Sequence, residues 1–572
     1  MTKVGEARLY SAQPCYPAAG EQVQRGWDAL ARRVPGGVRA LALDGPAVAP
    51  WAEVVTGLGK ALEEHGRKAT FASTSARFLP WRRVQELTSS YELRDDPDFD
   101  FLASGRLSDL FASRTPPEAR DGELSVVYGP GAGLVPHDAL WYMDLPKRYA
   151  EAAVTSGGGT NLGQPPGTGS ATTKRLFYID WPLLDRHRDE MIESVQIWAD
   201  FQRPEMPSFL DGHSLRKTLA QLATIPFRTR PTFNTTPWGG HWGQTRLGYN
   251  PGAANTALGY ELIAPEAGVL VGDDDGPQVE VPFQLIVSCH PVQMLGEEVH
   301  RAFGTSFPVR FDYLDTLGGG NLSVHCHPRA EYMRSVFGWP YTQHESYYMM
   351  VGGRENEVFL GLHQATDVSS FERDARLADE EGKALDVRQY VASFPAQAHD
   401  LFLIPSGTPH GSGAGNVVLE VSATPYLYSL RFYDWLRRGR DGGFRPVHVN
   451  HAFRNLDPNR RGEAVKRDLL QPPRAIAGGP GWEEQLLGAL AEMFFEVRRL
   501  NLEPGAMSAQ TTGGRFHVLN VVDGDGVLIE MPGGRVDSLV YAETMVVPAS
   551  VGDYLLRPLG ASRVRLVKAL VR

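Results

Sequence analysis

Two kinds of hydrophobic periodicity alternate in the first part of the chain. Val38-Arg-Ala-Leu-Ala-Leu-Asp44 is a short apolar run of strand type that stops at Gly45-Pro46, and beyond it Val54, Val55, Leu58 and Leu62 recur at helical spacing. Pro50 suits the first turn of that helix and Gly66 its end. Residues 68–73, Leu124–Tyr128 and Ala139–Asp144 read as further strands, 175–179 as another, and 183–198 and 213–223 as helices. This succession predicts an α/β unit over residues 1–225. Residues 156–170, Ser-Gly-Gly-Gly-Thr-Asn-Leu-Gly-Gln-Pro-Pro-Gly-Thr-Gly-Ser, are too rich in Gly and Pro for a regular element and read as a mobile loop or linker.

From Pro237 the pattern changes to short β-type runs separated by Gly, Pro and acidic turns, among them residues 268–271, 358–362, Leu401–Ile404 and 417–421. This is the pattern of a jelly-roll or cupin-type barrel. Helical or irregular sequence is expected around 430–500, and a second β-rich segment follows with residues 516–522, Gly526–Glu530 and 543–548. The predicted fold class is therefore multidomain: an α/β unit, then an all-β double-cupin region with helical insertions, divided at 226–455 and 456–572.

Within the first barrel, Asn321-Leu-Ser-Val-His-Cys-His-Pro328 places His325 and His327 on one face of an extended segment and Cys326 on the other. Glu345 opens a second β-type run and His410 lies beyond it in Ser406-Gly-Thr-Pro-His-Gly411. Three imidazoles and a carboxylate suit zinc or another divalent first-row metal. Taken singly, each histidine is equally consistent with a hydrogen-bonded core or surface residue. Alternation in the run from Val417 puts Glu420 on the face opposite Val417, Leu419 and Val421, ten residues after His410. That face is either the cavity or the solvent.

Composition narrows the classes. The 572 residues are 42% hydrophobic and 22% charged, with a formal net charge of -10, which argues against general nucleic-acid binding but leaves room for a local basic pocket. Cys15, Cys289 and Cys326 are too few and too scattered for a disulfide framework or a Cys-rich zinc module, as in a reducing cytosol. The N-terminus lacks an apolar signal region and no segment approaches the roughly 18 apolar residues of a membrane span, so a soluble, cytoplasmic chain with no membrane partner is expected.

The strand, glycine turn and helix near residue 45 raise the question of a phosphate-binding loop. The turn reads Gly45-Pro-Ala-Val-Ala-Pro-Trp51, without the Gly-Lys-Ser/Thr that would contact terminal phosphates and Mg²⁺, and Pro46 and Pro50 each remove a donor. With Val126-Val-Tyr-Gly-Pro-Gly-Ala-Gly-Leu134 and Trp141-Tyr-Met-Asp-Leu-Pro146, the unit resembles a uridine-kinase-like P-loop domain that has lost its signature. The resemblance implies an inactive, structural or regulatory domain.

Over the stretch from Pro237 to Trp435 the chain resembles the type I mannose-6-phosphate isomerases. Thr236-Pro-Trp-Gly-Gly240, Met294-Leu-Gly296, Phe307-Pro-Val-Arg-Phe-Asp-Tyr-Leu-Asp315, Leu322-Ser-Val-His-Cys-His-Pro328, Glu345-Ser-Tyr-Tyr348, Ile404-Pro-Ser-Gly-Thr-Pro-His410 and Arg431-Phe-Tyr-Asp-Trp435 match family segments in order. Val546-Val-Pro-Ala-Ser-Val-Gly-Asp-Tyr554 extends the resemblance to the second cupin. It implies a metal set of His325, His327, Glu345 and His410 holding one Zn²⁺ per chain, with His325 standing where the family pattern has glutamine. It further implies exchange of an aldose and a ketose, mannose 6-phosphate and fructose 6-phosphate or a close relative, by proton transfer through an enediol.

The same resemblance implies Glu420 as the base and Arg431 as the group that steadies developing oxyanion charge or binds substrate. Asp312 departs from a family lysine, so a phosphate pocket is expected from arginines such as Arg329, Arg334, Arg431 and Arg437, with Asp434 binding substrate or orienting Arg431. The expected partner is a small-molecule sugar phosphate. Two alternatives follow from the same residues: a non-catalytic, sugar-responsive cupin that binds and regulates, and a metal-dependent oxygenase on the same barrel, which would need redox iron. The sequence does not set the oligomeric state.

Overall fold

A computed structural model describes residues 9–117, 122–439 and 442–572. In the N-terminal unit a seven-stranded sheet runs in the order Gln24–Arg25, Ser208–Asp211, Ile197–Asp200, Ala139–Asp144, Ala40–Asp44, Leu124–Tyr128, Ala69–Ser73. Its last five strands are parallel and Ser208–Asp211 closes the other side antiparallel. Helix Trp51–Glu64 buries Val54, Leu58 and Leu62 against one face, as its spacing predicts, and Gly66 follows at φ +70° where a side chain would strain the turn.

Three expectations for this half are corrected. Residues 175–179 are helical, since Thr172 caps a turn at Arg175 N and the five-residue π turn Leu176–Asp180 leads into helix Trp181–Met191. A short apolar run has no periodicity to separate a buried helix from a strand. The predicted helix at 183–198 stops at Met191, and Ile197–Asp200 is a strand. The Gly/Pro-rich loop has no regular element but is anchored: Asn161 is buried, its amide donating to Asp180 Oδ2 at 2.8 Å while its Oδ1 accepts from Thr172 N.

The glycine turn near residue 130 is also filled from within. The Asp44 carboxylate, ending its strand, accepts from Gly45 N, Gly131 N and Gly133 N at 2.7, 3.1 and 2.7 Å and lies 2.8 Å from His187 Nε2. Backbone donors that could cradle an anion already hold one belonging to the chain.

The middle of the chain forms two sheets that face each other. The six-stranded sheet has the order Leu401–Ile404, Glu345–Val351, Val417–Ala423, Val309–Asp315, Leu258–Leu262, Thr232–Asn234. Facing it is a five-stranded sheet of Val391–Ala396, Gly353–Leu362, His410–Ser412, Val324–Cys326 and Leu430–Tyr433. Val324 and Cys326, on the reverse of the His strand, enter a hydrophobic core shared with Phe99, Leu107, Ile179 and Leu183 of the N-terminal unit.

A six-stranded and a four-stranded sheet make up the C-terminal part, enclosing a core of Leu500, Leu519, Ile529, Leu556 and Leu566. Arg474–Gly479, Trp482–Gly488 and Phe495–Leu502 are strands of it, where helical or irregular sequence was expected. Alternation there is masked because Arg474–Gly479 is exposed along its whole length. His517 is buried, with Nδ1 2.8 Å from the Tyr554 hydroxyl. Among the described residues no helix is long and apolar enough to cross a membrane, and the three cysteines are free.

Candidate metal centre

The two facing sheets aim polar residues at each other through their register. On the five-stranded sheet Leu360, His410, His325 and Arg431 are successive cross-strand partners and share one face. On the six-stranded sheet Glu345, Ser422 and Arg310 form one such row, and Tyr347, Glu420, Asp312 and Tyr260 the next. All of these but Ser422 line a cavity of about 150 Å³ together with His325, Arg431 and Arg445.

His325, His327, Glu345 and His410 each bring one donor atom into a group spanning no more than 4.8 Å, all four buried. Three backbone carbonyls orient the rings: His325 Nδ1 lies 3.0 Å from Ser323 O, His327 Nδ1 3.2 Å from Tyr428 O, and His410 Nδ1 2.8 Å from Thr408 O. A carbonyl accepts only, so each Nδ1 carries the hydrogen and each Nε2 keeps its lone pair for the interior. Glu345 Oε1 lies 3.0 Å from His327 Nε2, and Oε2 3.0 Å from His410 Nε2.

His327 Nε2, His410 Nε2 and Glu345 Oε2 are nonetheless buried without a hydrogen-bond partner. Orphaned polar atoms at the focus of three oriented rings are the condition a bound cation relieves. The donor set fits a divalent first-row ion. Loop 405–409 depends on Gly407, at φ +82°, whose N–H donates to His327 O at 2.9 Å; a Cβ there would fall 2.7 Å from Asn455 O.

Burial, then repulsion from His410 and His327, pushes the His325 pKa well below its ordinary value, and burial likewise lowers that of His327. These imidazoles are therefore neutral at physiological pH, the form that ligates.

Arg310 was not singled out in the sequence, although it lies two residues before Asp312 in an alternating strand. Its guanidinium pairs with Glu420, lies 3.4 Å from Glu345 Oε1, and its Nε is 3.3 Å from Asp312 Oδ1 and donates to Ser422 Oγ at 2.6 Å. Burial disfavours the cation, yet Asp312, Glu420 and Glu345 outweigh it and raise its pKa. One guanidinium cannot satisfy three carboxylates. Burial together with Asp312 and Glu345 accordingly raises Glu420 well above the usual range despite Arg310, and burial raises Asp312 to about 6.

Arg431 donates Nη1 to Pro446 O at 2.9 Å. Burial and then repulsion from Arg445 lower its pKa, and no carboxylate lies within ion-pair distance of it among the described residues. Four other expected substrate residues do not line the cavity, and Arg334 among them is exposed to solvent. Arg329 turns to the Arg454 carbonyl, and Arg437 binds Asp434 and Asn321 O. Asp434 is buried and joins Arg437 to Arg445, at 2.6 and 2.7 Å. The strand alternation does not extend this far because Trp435 and Leu436 both adopt positive φ, at 58° and 51°, and turn the chain. Arg445, absent from the sequence reading, lines the cavity instead. Tyr347 and Tyr260 also face inward and were not anticipated.

Two kinds of match come from comparison with known proteins. Residues 26–224 match a family model described as a domain of unknown function (DUF8485). The chain is 27% identical over 267 residues to the mannose-6-phosphate isomerase ManA of Bacillus subtilis, covering 46% of this chain and 73% of that protein. To the mannose-6-phosphate isomerase of Streptococcus mutans it is 26% identical over 218 residues, 38% of this chain and 63% of the relative. A crystal structure of the Bacillus subtilis mannose 6-phosphate isomerase superposes with a TM-score of 0.47 at 18% identity, over 60% of this chain and 99% of that one. In part of its length, therefore, the chain is a sequence relative of the mannose-6-phosphate isomerases.

Proposed function

We propose that the chain is a metal-dependent aldose–ketose isomerase acting on mannose 6-phosphate and fructose 6-phosphate or a closely related sugar phosphate. The reading divides the chain into a non-catalytic N-terminal domain at 1–225, a catalytic cupin at 226–455 and a second cupin at 456–572. The observation that carries it is the convergence of His325, His327, Glu345 and His410 on one buried point beside Glu420, in a relative of sugar-phosphate isomerases. These four residues would hold Zn²⁺, which when bound supplies Lewis acidity toward the sugar oxygens.

The chain's own groups account for the rest. Glu420 moves the proton between C2 and C1: in its ionised form it takes the proton beside the carbonyl, and in its acid form returns it to the neighbouring carbon. A raised pKa suits a carboxyl that must do both near neutrality. Arg310 fixes the carboxylate in place and Ser422, donating to Glu420 Oε1 at 2.9 Å, orients it further. Arg431, on the face of His325 and without a carboxylate partner, stabilises negative charge on the enediol oxygens. Arg445, held by Asp434, binds the phosphate at the cavity wall.

The test follows fructose 6-phosphate formation from mannose 6-phosphate in parallel with calorimetric titration of several hexose phosphates. Turnover lowered by about 10²–10⁴-fold in Glu420→Gln supports the proposal. Saturable binding without turnover of any hexose phosphate would replace it with a sugar-responsive binding protein.

A further inference from the structure

The metal centre gives the N-terminal unit no role of its own, yet that unit touches Tyr428 and His448, the residues bonded to His327 and Arg431. Segment 96–103 docks on the five-stranded sheet's connections: Leu102 N donates to Phe337 O at 2.9 Å, and Phe101 packs so closely on Gly338 that a Cβ there would fall 2.7 Å from its ring. Phe99, 2% exposed, is inserted between aromatic groups. Its ring lies 6.3 Å from and nearly parallel to Tyr428, and 4.7 Å from His448. Tyr428 is the residue whose carbonyl orients His327.

A second contact runs through Asp98. Its Oδ2 lies 3.3 Å from His448 Nε2, while His448 Nδ1 accepts the Arg431 backbone N–H at 3.2 Å and His448 N donates to Arg431 O at 2.8 Å. Asp96 Oδ2 adds a 2.8 Å contact to His451 Nε2 one helical turn on. Ring stacking and side-chain polar contacts thus meet the cupin behind His327 and behind Arg431, and both come from one segment of the N-terminal unit.

We propose that the N-terminal unit is a positioning domain for the metal centre, with Phe99 setting His327 through Tyr428 and Asp98 setting Arg431 through His448. The proposal rests on the four-residue cluster being a metal centre. It needs no ligand of the N-terminal unit, whose glycine-turn donors Asp44 occupies. A loosened Tyr428 frees the His327 ring, and partners of this kind are worth about 10–100-fold in metal affinity.

The test uses the full chain with Phe99→Ala, the milder Phe99→Leu, Asp98→Asn and Asp98→Glu. Leu58→Ala, in the core on the far side of the N-terminal sheet, controls for general destabilisation. Three quantities are measured: Zn²⁺ affinity by competition with a chromophoric chelator, kcat and KM for mannose 6-phosphate, and the melting temperature of metal-free protein. Phe99→Ala is expected to weaken Zn²⁺ about tenfold, with Phe99→Leu between it and wild type. Asp98→Asn is expected to lower kcat about tenfold at unchanged KM, with recovery in Asp98→Glu. Leu58→Ala should lower only the melting temperature.

If the Phe99 and Asp98 variants also change only the melting temperature, the unit is an appendage and the proposal fails. A wild-type chain that isomerises no hexose phosphate, but whose Zn²⁺ affinity still falls in Phe99→Ala, would overturn the isomerase reading and leave the positioning role standing.

Discussion

His325 and His410 lie directly opposite each other on paired antiparallel strands, with ring centroids 4.2 Å apart and each Nδ1 tied to a backbone carbonyl. Two strands and one glycine turn therefore preset half of the donor set before any ion arrives. Such rigidity makes the loss of one ring costly. Replacing His410 with Ala should weaken Zn²⁺ binding by more than about 100-fold, since outer partners alone are worth about 10–100-fold. Metal content after dialysis against a weak chelator checks this, and the melting temperature of the metal-free variant should stay near wild type.

Glu420→Gln keeps the shape of the cavity but removes the carboxyl proposed to move the proton. Turnover should fall by about 10²–10⁴-fold while Zn²⁺ content is retained. Metal analysis beside steady-state kinetics separates this outcome from loss of the centre.

Arg310 contacts three buried carboxylates, Asp312, Glu345 and Glu420. Arg310→Leu leaves those charges uncompensated and should destabilise the metal-free protein by about 3–5 kcal/mol at neutral pH. The loss should shrink on acidification, as Glu420 and Asp312, both raised, take up protons first. Denaturant unfolding at two pH values measures it.

Asp96 carries the pH signature of the docked N-terminal segment. Burial works against its ionisation, but His451 and the backbone N–H groups of Phe99 and Asp98 lower its pKa to about 2. A carboxylate with a depressed folded pKa contributes stability above its unfolded value, near about 4, and loses it as pH falls through the folded value. With discount for partial exposure the effect is on the order of 1 kcal/mol. The melting-temperature difference between wild type and Asp96→Asn should therefore be constant above about pH 5 and vanish toward about pH 2.

Much of this centre was legible because it is built on alternation. His325 and His327 share a face, counting in twos along the strand separates Glu420 from Leu419 and Val421, and a turn with one obligatory glycine brings in His410. The N-terminal strands at Ala40–Asp44, Leu124–Tyr128 and Ala139–Asp144 were legible for a related reason, being short apolar runs that end at or just before Gly or Pro. What alternation could not show was cross-strand register. Arg310 becomes a partner of Glu420 only once Val309–Asp315 pairs with Val417–Ala423, and Arg445 reaches the cavity only through a turn with positive φ at Trp435 and Leu436. The role of Phe99 rests on packing between units distant in sequence, for which no local pattern exists.

The direct measurement of isomerisation at a bound metal is mannose 6-phosphate turnover by one preparation in three states: as purified with its metal quantified, after chelation, and after return of Zn²⁺. Fructose 6-phosphate should form in the first state, stop forming in the second and form again in the third. A chain carrying one metal per molecule that forms no fructose 6-phosphate, or one that turns over equally well after chelation, would contradict isomerisation at that metal.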